Sequence, residues 1–309
     1  MYQCKVGERS DAARAFKGGR KIMANSISTY TDKLIMKCLL THNFQDIGSR
    51  FEDNVITKIK TGAFYNAENL TEVVAPAVTV IGSFAFDGAS LTTLTLTWSE
   101  ITSIGVGAFR NGGYSAIPQN LTLPKVTAIG KAAFAGTTSV KNTQLRTISL
   151  PLWTGSLVTE AIQTASDGIF DNCSALQSVS APELQAIPET TFRNCAALTE
   201  VNFPKVTSIG SNAFSGCSNL TKIDIGGAVT SMSSAFLSGT SKLEALILRG
   251  ITSIPTLSNN TFSNTRIASG AAYVYVPKSL EDSIKLANRW STYANQIRAI
   301  EDYPDVCGS

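Results

Sequence analysis

A phenylalanine returns about every 22 residues along this chain, and no other feature limits its fold as severely. It stands at Phe64, Phe86, Phe109, Phe134, Phe170, Phe192, Phe214, Phe236 and Phe262, usually directly after an alanine. Other positions keep step. Six residues on comes a leucine (Leu70, Leu176, Leu198, Leu220), and three further an apolar residue (Val73, Val179, Val201, Ile223). Proline closes that stretch at Pro76, Pro182 and Pro204, and at Pro124 and Pro151 where the spacing lengthens. An Ile-Gly pair then leads to the next phenylalanine: Ile81-Gly82, Ile104-Gly105, Ile129-Gly130 and Ile209-Gly210.

One such unit is too short to bury its own Phe, Leu and Ile. Stacked units bury each position against its counterparts, giving a core that extends in one dimension. The period is too short for helical repeats of about 33–34 residues and falls in the leucine-rich-repeat range of about 20–29. The alternation Leu-x-x-Val-x-Phe predicts a short strand with one buried face. Pro stops that strand, Ile-Gly suits a tight turn, and Ala-Phe is expected in a helical turn or irregular coil on the outer side. The 36-residue step from Phe134 to Phe170 is either an inserted loop or one degenerate rung.

These motifs closely resemble the BspA-like family of bacterial leucine-rich repeats, with the pattern L-x-x-V/I-x-x-P…I-G-x-x-A-F-x-x-C-x-x-L, over residues 56–277. The likeness continues through 246–250, 261–270, 273–277 and 289–302, which look like the terminal capping segment of such arrays. The resemblance implies a β-rich α/β solenoid of leucine-rich repeats. A basic extension (1–25) and a helical cap (26–55) precede the solenoid (56–277), and a C-terminal cap and tail (278–309) close it. It also implies a non-enzymatic module that adheres to a protein or glycan on a host or bacterial surface, placed extracellularly. A phage or prophage tail protein that recognises a bacterial surface, located in the virion, is the alternative; an unrecognised hydrolase is a distant third.

The ends fit this plan. Ile27, Tyr30, Leu34, Cys38 and Leu39 share one helical stripe, with Ser26 or Ser28 as N-cap, which predicts a capping helix over 26–42. Residues 279–290 read as a short helix started by Ser279, with Trp290 and Tyr293 folding back as a lid. Residues 1–22 carry six basic side chains against Glu8 and Asp11 but no apolar stretch of about 7–15 residues, so no signal peptide is recognisable there. Met23, just before the cap, is either a natural start or follows a flexible basic arm.

Charge excludes more than it suggests. Charged residues are 16% and the formal net charge is +3, concentrated in that basic extension. The body is near neutral and rich in hydroxyls (33 Ser, 33 Thr), without the electrostatic footprint of a nucleic-acid binder. No apolar run reaches the roughly 18 residues of a membrane span.

Chemistry-bearing residues are sparse. Cys173, Cys195 and Cys217 fall at one position of three consecutive rungs, where Ala67 and Ala89 stand elsewhere, so the slot reads as small and buried rather than as a disulfide ladder. Cys307 reads as an exposed tail thiol. The single histidine, His42, lies in the predicted cap, and there is no C-x-x-C, phosphate loop or nucleophile elbow; no catalytic, cofactor or metal site is expected. Asp167 and Asp171 flank Phe170 and are expected in solvent. Asn-Leu-Thr at 69, 120 and 219 matches a glycosylation sequon, but the repeat itself generates it.

What remains is surface. If the apolar positions of each strand point inward, the intervening residues form a polar strip at about 4.8 Å per rung. Glu72 with Val74, Thr93 with Thr95, Ser178 with Ser180, Glu200 with Asn202, and Lys222 with Asp224 are the candidate ligand-binding residues. Extended faces of this kind are where solenoids commonly bind.

Overall fold

The computed structural model describes residues 49–112, 114–158 and 168–308. The capping helix expected over 26–42 lies outside these residues. The described chain is a parallel solenoid in which most turns lay down two short strands. The first ladder runs through Arg50–Glu52, Glu72–Val74, Thr93–Thr95, Asn120–Thr122, Thr147–Ser149, Ser178–Ser180, Glu200–Phe203, Lys222–Ile225, Ala245–Leu248 and Tyr273–Val276, in three hydrogen-bonded sheets that break after Thr93–Thr95 and after Ser178–Ser180. Ile297–Ala299 closes it beside Tyr273–Val276. Its buried positions include those read from the sequence, Val73, Val179, Val201 and Ile223; the structure pairs Val73 with Leu94, and Val201 with Ile223, then adds Leu246 and Val274.

The Ile-Gly motif is not a tight turn. Its isoleucine ends a two-residue strand, and these strands form a second ladder through Lys58–Ile59, Val80–Ile81, Ser103–Ile104 and Ala128–Ile129. It resumes at Ala186–Ile187 with Ser208–Ile209, and at Ser231–Met232 with Thr256–Leu257. The glycine is there because the neighbouring rung passes too close for a side chain. A Cβ on Gly82 would lie 2.5 Å from the Thr61 backbone nitrogen, and Gly105, Gly130 and Gly210 are at least as tight against theirs. That approach lets the glycine amide donate to the preceding rung, Gly82 to Ile59 O and Gly210 to Ile187 O, both at 2.8 Å.

Ala-Phe forms neither helix nor loose coil but a hydrogen-bonded turn that is itself part of the stack. Phe64 N donates to Ala85 O at 2.8 Å, Phe86 N to Ala108 O at 2.8 Å, and Phe192 N to Ala213 O at 2.8 Å. Two residues past the ring the chain enters the left-handed region, at Asn66 (φ 52°), Gly88 (φ 70°), Asn111 (φ 58°), Asn172 (φ 58°), Asn194 (φ 59°) and Gly216 (φ 77°). Asn and Gly tolerate this conformation best, which accounts for the recurring Phe-x-Asn/Gly. Threonine hydroxyls tie rung to rung as well: Thr71 donates to Ser49 O at 3.0 Å, Thr92 to Thr71 O at 3.1 Å, and Thr221 to Thr199 O at 3.0 Å. Two of the three Asn-Leu-Thr threonines, Thr71 and Thr221, are thus structural.

Inside, the phenylalanines stack. Phe64, Phe86, Phe109, Phe134, Phe170, Phe192 and Phe214 form one offset column, with ring centroids 5.2–5.6 Å apart and planes within 16°. Each such contact contributes about 0.5–1.5 kcal/mol beyond area burial. Phe51 closes the column edge-on at one end, 5.2 Å from Phe64. Phe236 leaves the column: Phe214 N donates to Phe236 O rather than to the residue before it, and the left-handed corners shift to Ala235 and Gly239. Leu237 thereby takes the place of the ring. The Gly226-Gly227 doublet lengthens the preceding turn, so the 22-residue interval from Phe214 is one residue short of the structural repeat.

The 36-residue step is one rung with insertions. Its strand, Thr147–Ser149, lies between Asn120–Thr122 and Ser178–Ser180, and Phe134 still stacks on Phe170 at 5.6 Å. Asn142, fully buried, fastens the first insertion: its Nδ2 donates to Phe134 O at 3.2 Å and its Oδ1 accepts from Gln144 N and Leu145 N.

The solenoid is closed by α1, Lys278–Leu286, which begins at Pro277 rather than at Ser279. The expected lid forms. Trp290 is buried and donates its indole N–H to Pro255 O at 2.7 Å, and it meets Phe262 edge-on at 5.8 Å; Tyr293 does so at 5.1 Å.

Two substitutions test this architecture. Phe192→Ala opens a cavity between two rings and should cost about 3–5 kcal/mol; urea unfolding measures it, and a loss below about 1 kcal/mol contradicts the column. Gly210→Ala places a methyl against neighbouring backbone and should cost about 1–3 kcal/mol, whereas a simple turn glycine with negative φ would gain stability.

Candidate functional site

The outward positions of the first ladder form a row across the rungs, and its character changes along its length. It opens with charge: Arg50 bridges Glu52 (3.0 Å) and Glu72. Val74, Thr93 and Thr95 follow, in register with Glu52, Glu72 and Val74. The middle is uncharged. Thr93, Thr95, Ser178 and Ser180 are all exposed, as expected. Between them the structure adds four residues missed in the sequence: Asn120, Thr122, Thr147 and Ser149, whose rungs carry longer loops that break the 22-residue count. The Leu121-x-Leu123-Pro124 and Ile148-x-Leu150-Pro151 patterns were the available signal. Thr147 Oγ1 lies 2.9 Å from Asn120 Oδ1, so neighbouring rungs hold each other's side chains in place. Glu200 and Asn202 are exposed and continue the row.

Lys222 and Asp224 belong to the same row but not to an open surface. Beyond them the outward residues become apolar, Ala245, Ile247 and Tyr275, and the chain's own C-terminal segment lies over these. That segment consists of the 3-10 turn Ile300–Asp302 and α2, Pro304–Cys307. Ile300, Val306 and Cys307 pack on the apolar outward residues, and Tyr303 meets Tyr275 edge-on at 5.6 Å. Lys222 Nζ donates to Val306 O at 2.8 Å. Asp224, 6% exposed, takes a forked contact from Arg249 at 2.8–3.0 Å, and Arg249 also donates to Cys307 O. These two charges position the tail. Cys307 is therefore buried, not an exposed thiol, because apolar outward residues on two successive strands give the tail a surface to cover.

Asp171 is another correction. It is fully buried rather than solvated, and it accepts from Arg193 Nε at 2.9 Å and from Asn172 Nδ2 at 3.1 Å. Asp87 and Arg110 repeat the arrangement on other rungs at 3.0 Å. Burial raises the Asp87 carboxyl above its ordinary range, outweighing the opposing pull of Arg110. Such pairs, one residue past the phenylalanine, join rung to rung. Asp167 lies outside the described residues.

The cysteine slot behaves as a small apolar position. Cys173, Cys195 and Cys217 are free and buried, and each thiol points at a ring-bearing rung: Cys173 Sγ donates to Phe134 O at 3.3 Å, Cys195 to Phe170 O at 3.2 Å, and Cys217 to Phe192 O at 3.0 Å. Burial pushes all three thiols well above the usual value. A thiol of this kind is a poor nucleophile and a poor metal ligand. Among the described residues no group of three His, Cys, Asp or Glu side chains could hold a metal ion, and no helix is long and apolar enough to cross a membrane.

The model of the BspA type leucine-rich repeat region matches residues 43–150 and 158–282 in six copies. No curated protein matches the chain. Among solved structures, the fold is similar to the pneumococcal vaccine antigen PcpA, with a TM-score of 0.52, 18% identity, and coverage of 81% of this chain and 59% of that one. Others include a T. pallidum leucine-rich repeat protein (TM-score 0.41, 22% identity, 56% and 78% covered) and a leucine-rich cell surface protein of Faecalibacterium prausnitzii (0.35, 18%, 81% and 82%). The chain thus spans 59% of the length of the antigen it matches.

The thiols give a pH dependence whose sign is fixed. Because their folded values are raised, the unfolded chain releases protons first, and stability is lost as pH climbs above the ordinary thiol value of about 8.5. The slope is at most about 1.4 kcal/mol per pH unit for each thiol. Exchanging all three for Ala, the residue other rungs carry, should flatten the alkaline fall in urea stability. In the native protein at pH 8, peptide-mapped alkylation should spare these three and Cys307, while Lys222→Ala with Arg249→Ala should expose Cys307 alone.

Proposed function

Because this chain belongs to the BspA-type leucine-rich-repeat family, we propose that it is a recognition module that holds an elongated surface ligand, protein or glycan, along the outward row of its first strand ladder. Leucine-rich-repeat solenoids typically serve as binding scaffolds rather than as catalysts. One observation carries the assignment to this face. Between Thr93 and Asn202 the row offers hydroxyls, amides and one carboxylate, most of them exposed, and where its strands pair, as from Asn120 to Thr147 to Ser178, neighbours stand about 4.8 Å apart. Each is mounted on a strand whose other face is locked into the phenylalanine core.

Rigid mounting favours binding because little conformational freedom is lost when a ligand is captured. The chemistry suits a ligand that presents hydrogen-bonding groups repeatedly along its length. A strongly basic or acidic partner would find little to pair with here, since the middle of the row carries no charge. The family resemblance supports a place on a bacterial surface, with adhesion as the outcome of binding.

The test is a triple substitution, Thr95→Arg, Ser180→Arg and Asn202→Arg, at three exposed positions spread along the row. Surface changes of this kind usually alter stability by no more than about 0.5 kcal/mol each, so the melting temperature should hold. Labelled parent protein, overlaid on arrays of glycans and of bacterial-surface and extracellular-matrix proteins, should pick out discrete partners that the variant loses. Equal binding by parent and variant places recognition elsewhere on the molecule.

A further inference from the structure

A second site, apart from the outward row and beyond the reading above, lies where the last phenylalanine-bearing turn meets the C-terminal cap. A shallow cavity of about 530 Å³, widely open to solvent, lies there, lined by Ser258, Asn259, Asn260, Arg289, Thr292 and Tyr293 among others. That volume is within the range of about 300–1,000 Å³ typical of small-molecule sites. The cavity is preformed. Thr261, buried in its lining, donates its hydroxyl to Ser258 O at 2.8 Å, and the Tyr293 ring is fixed at 88° against Phe262.

Arg289 is the unusual member. Its φ of 65° puts a long side chain in the left-handed region, where such residues are uncommon. The cause is local. The chain leaves α1 at Leu286 and must reverse so that Trp290 can enter the core, and Arg289 occupies the corner. The reversal leaves the guanidinium on the cavity wall. Its Nη1 donates to Leu257 O at 3.1 Å, which anchors the group with one of its five N–H donors. No carboxylate lines the cavity, and among the described residues Arg289 forms no ion pair. An unneutralised guanidinium thus stands beside hydroxyls, side-chain amides and a phenol.

We propose that this cavity binds an acidic sugar unit, a uronic or sialic acid. The Arg289 fork matches a carboxylate, since guanidinium–carboxylate recognition is bidentate and charge-assisted. Asn259, Asn260, Ser258 and Thr292 supply donors and acceptors for sugar hydroxyls, and Tyr293 offers an aromatic ring with a polar tip, suited to a sugar's mixed surface. A purely inorganic anion would use the arginine alone and leave the rest of the lining idle.

The experiment uses the full chain and four probes in NMR or calorimetric titration: N-acetylneuraminic acid, glucuronic acid, neutral glucose and inorganic sulfate. At least one acidic sugar should bind with a dissociation constant of about 1 mM or tighter, and glucose and sulfate at least about tenfold more weakly. Arg289→Gly should weaken acidic-sugar binding at least about tenfold while keeping or raising the melting temperature, because glycine accepts the left-handed corner without strain. Asn259→Asp, an isosteric change at an exposed position, should weaken it in the same direction by placing a carboxylate in the cavity. Acidic-sugar binding unchanged in both variants overturns the proposal, as does equal affinity for sulfate or for glucose. Absence of binding by either acid at about 10 mM overturns it too.

Discussion

Much of the backbone of this solenoid finds its hydrogen-bond partners one turn ahead or behind, and short turns within each rung supply the rest. The strand ladders, the glycine amides and the Ala-Phe turns all obey this rule, and even threonine hydroxyls are drawn into it. Where they pair, adjacent turns must then stay at one hydrogen-bonded spacing. That requirement removes the side chain at Gly82 and its equivalents, favours Asn or Gly at the left-handed corner, and leaves a channel into which one flat ring per turn fits. The phenylalanine column is the apolar filling of a hydrogen-bonded frame, and each depends on the other.

Because equivalent residues recur, their chemistry recurs too. A carboxylate one residue past the ring on one rung meets an arginine on the next, as with Asp87 and Arg110 and with Asp171 and Arg193. Three thiols occupy one slot and each reaches a carbonyl on another rung. The same slot accepts alanine elsewhere, so its shape and not its reactivity is what the fold requires. The hydroxyl-rich composition follows in part from threonines that bridge turns and in part from the outward row.

Much of this was legible in the sequence, and the failures have physical causes. Phe, Leu, Val and Pro spacing identified the first ladder and its buried face because burial repeats strictly every turn. Ile-Gly was misread as a turn because glycine more often marks backbone conformation than close approach. Phe236 was assigned to the column because a count of 22 hides a one-residue shift, which Leu237 absorbs by filling the ring's place. Asn120, Thr122, Thr147 and Ser149 escaped notice because longer loops disguised their rungs. Nothing in the local sequence around Lys222 and Asp224 announces that a segment more than 80 residues downstream, with Cys307 in it, will lie across the sheet; only the apolar outward residues Ala245 and Ile247 hint that something must.

That covering gives the row a direction. Among the described residues the row is exposed at Thr93, Thr95, Ser178, Ser180, Glu200 and Asn202, and at Lys222 it meets α2, held down by two cations through its carbonyl oxygens. A long molecule lying along the face cannot pass through this stop; it must end there or turn away. If the proposed ligand lies along this row, the stop would separate a chain's terminus from its interior and fix the frame in which successive units of a polymer fall upon successive rungs.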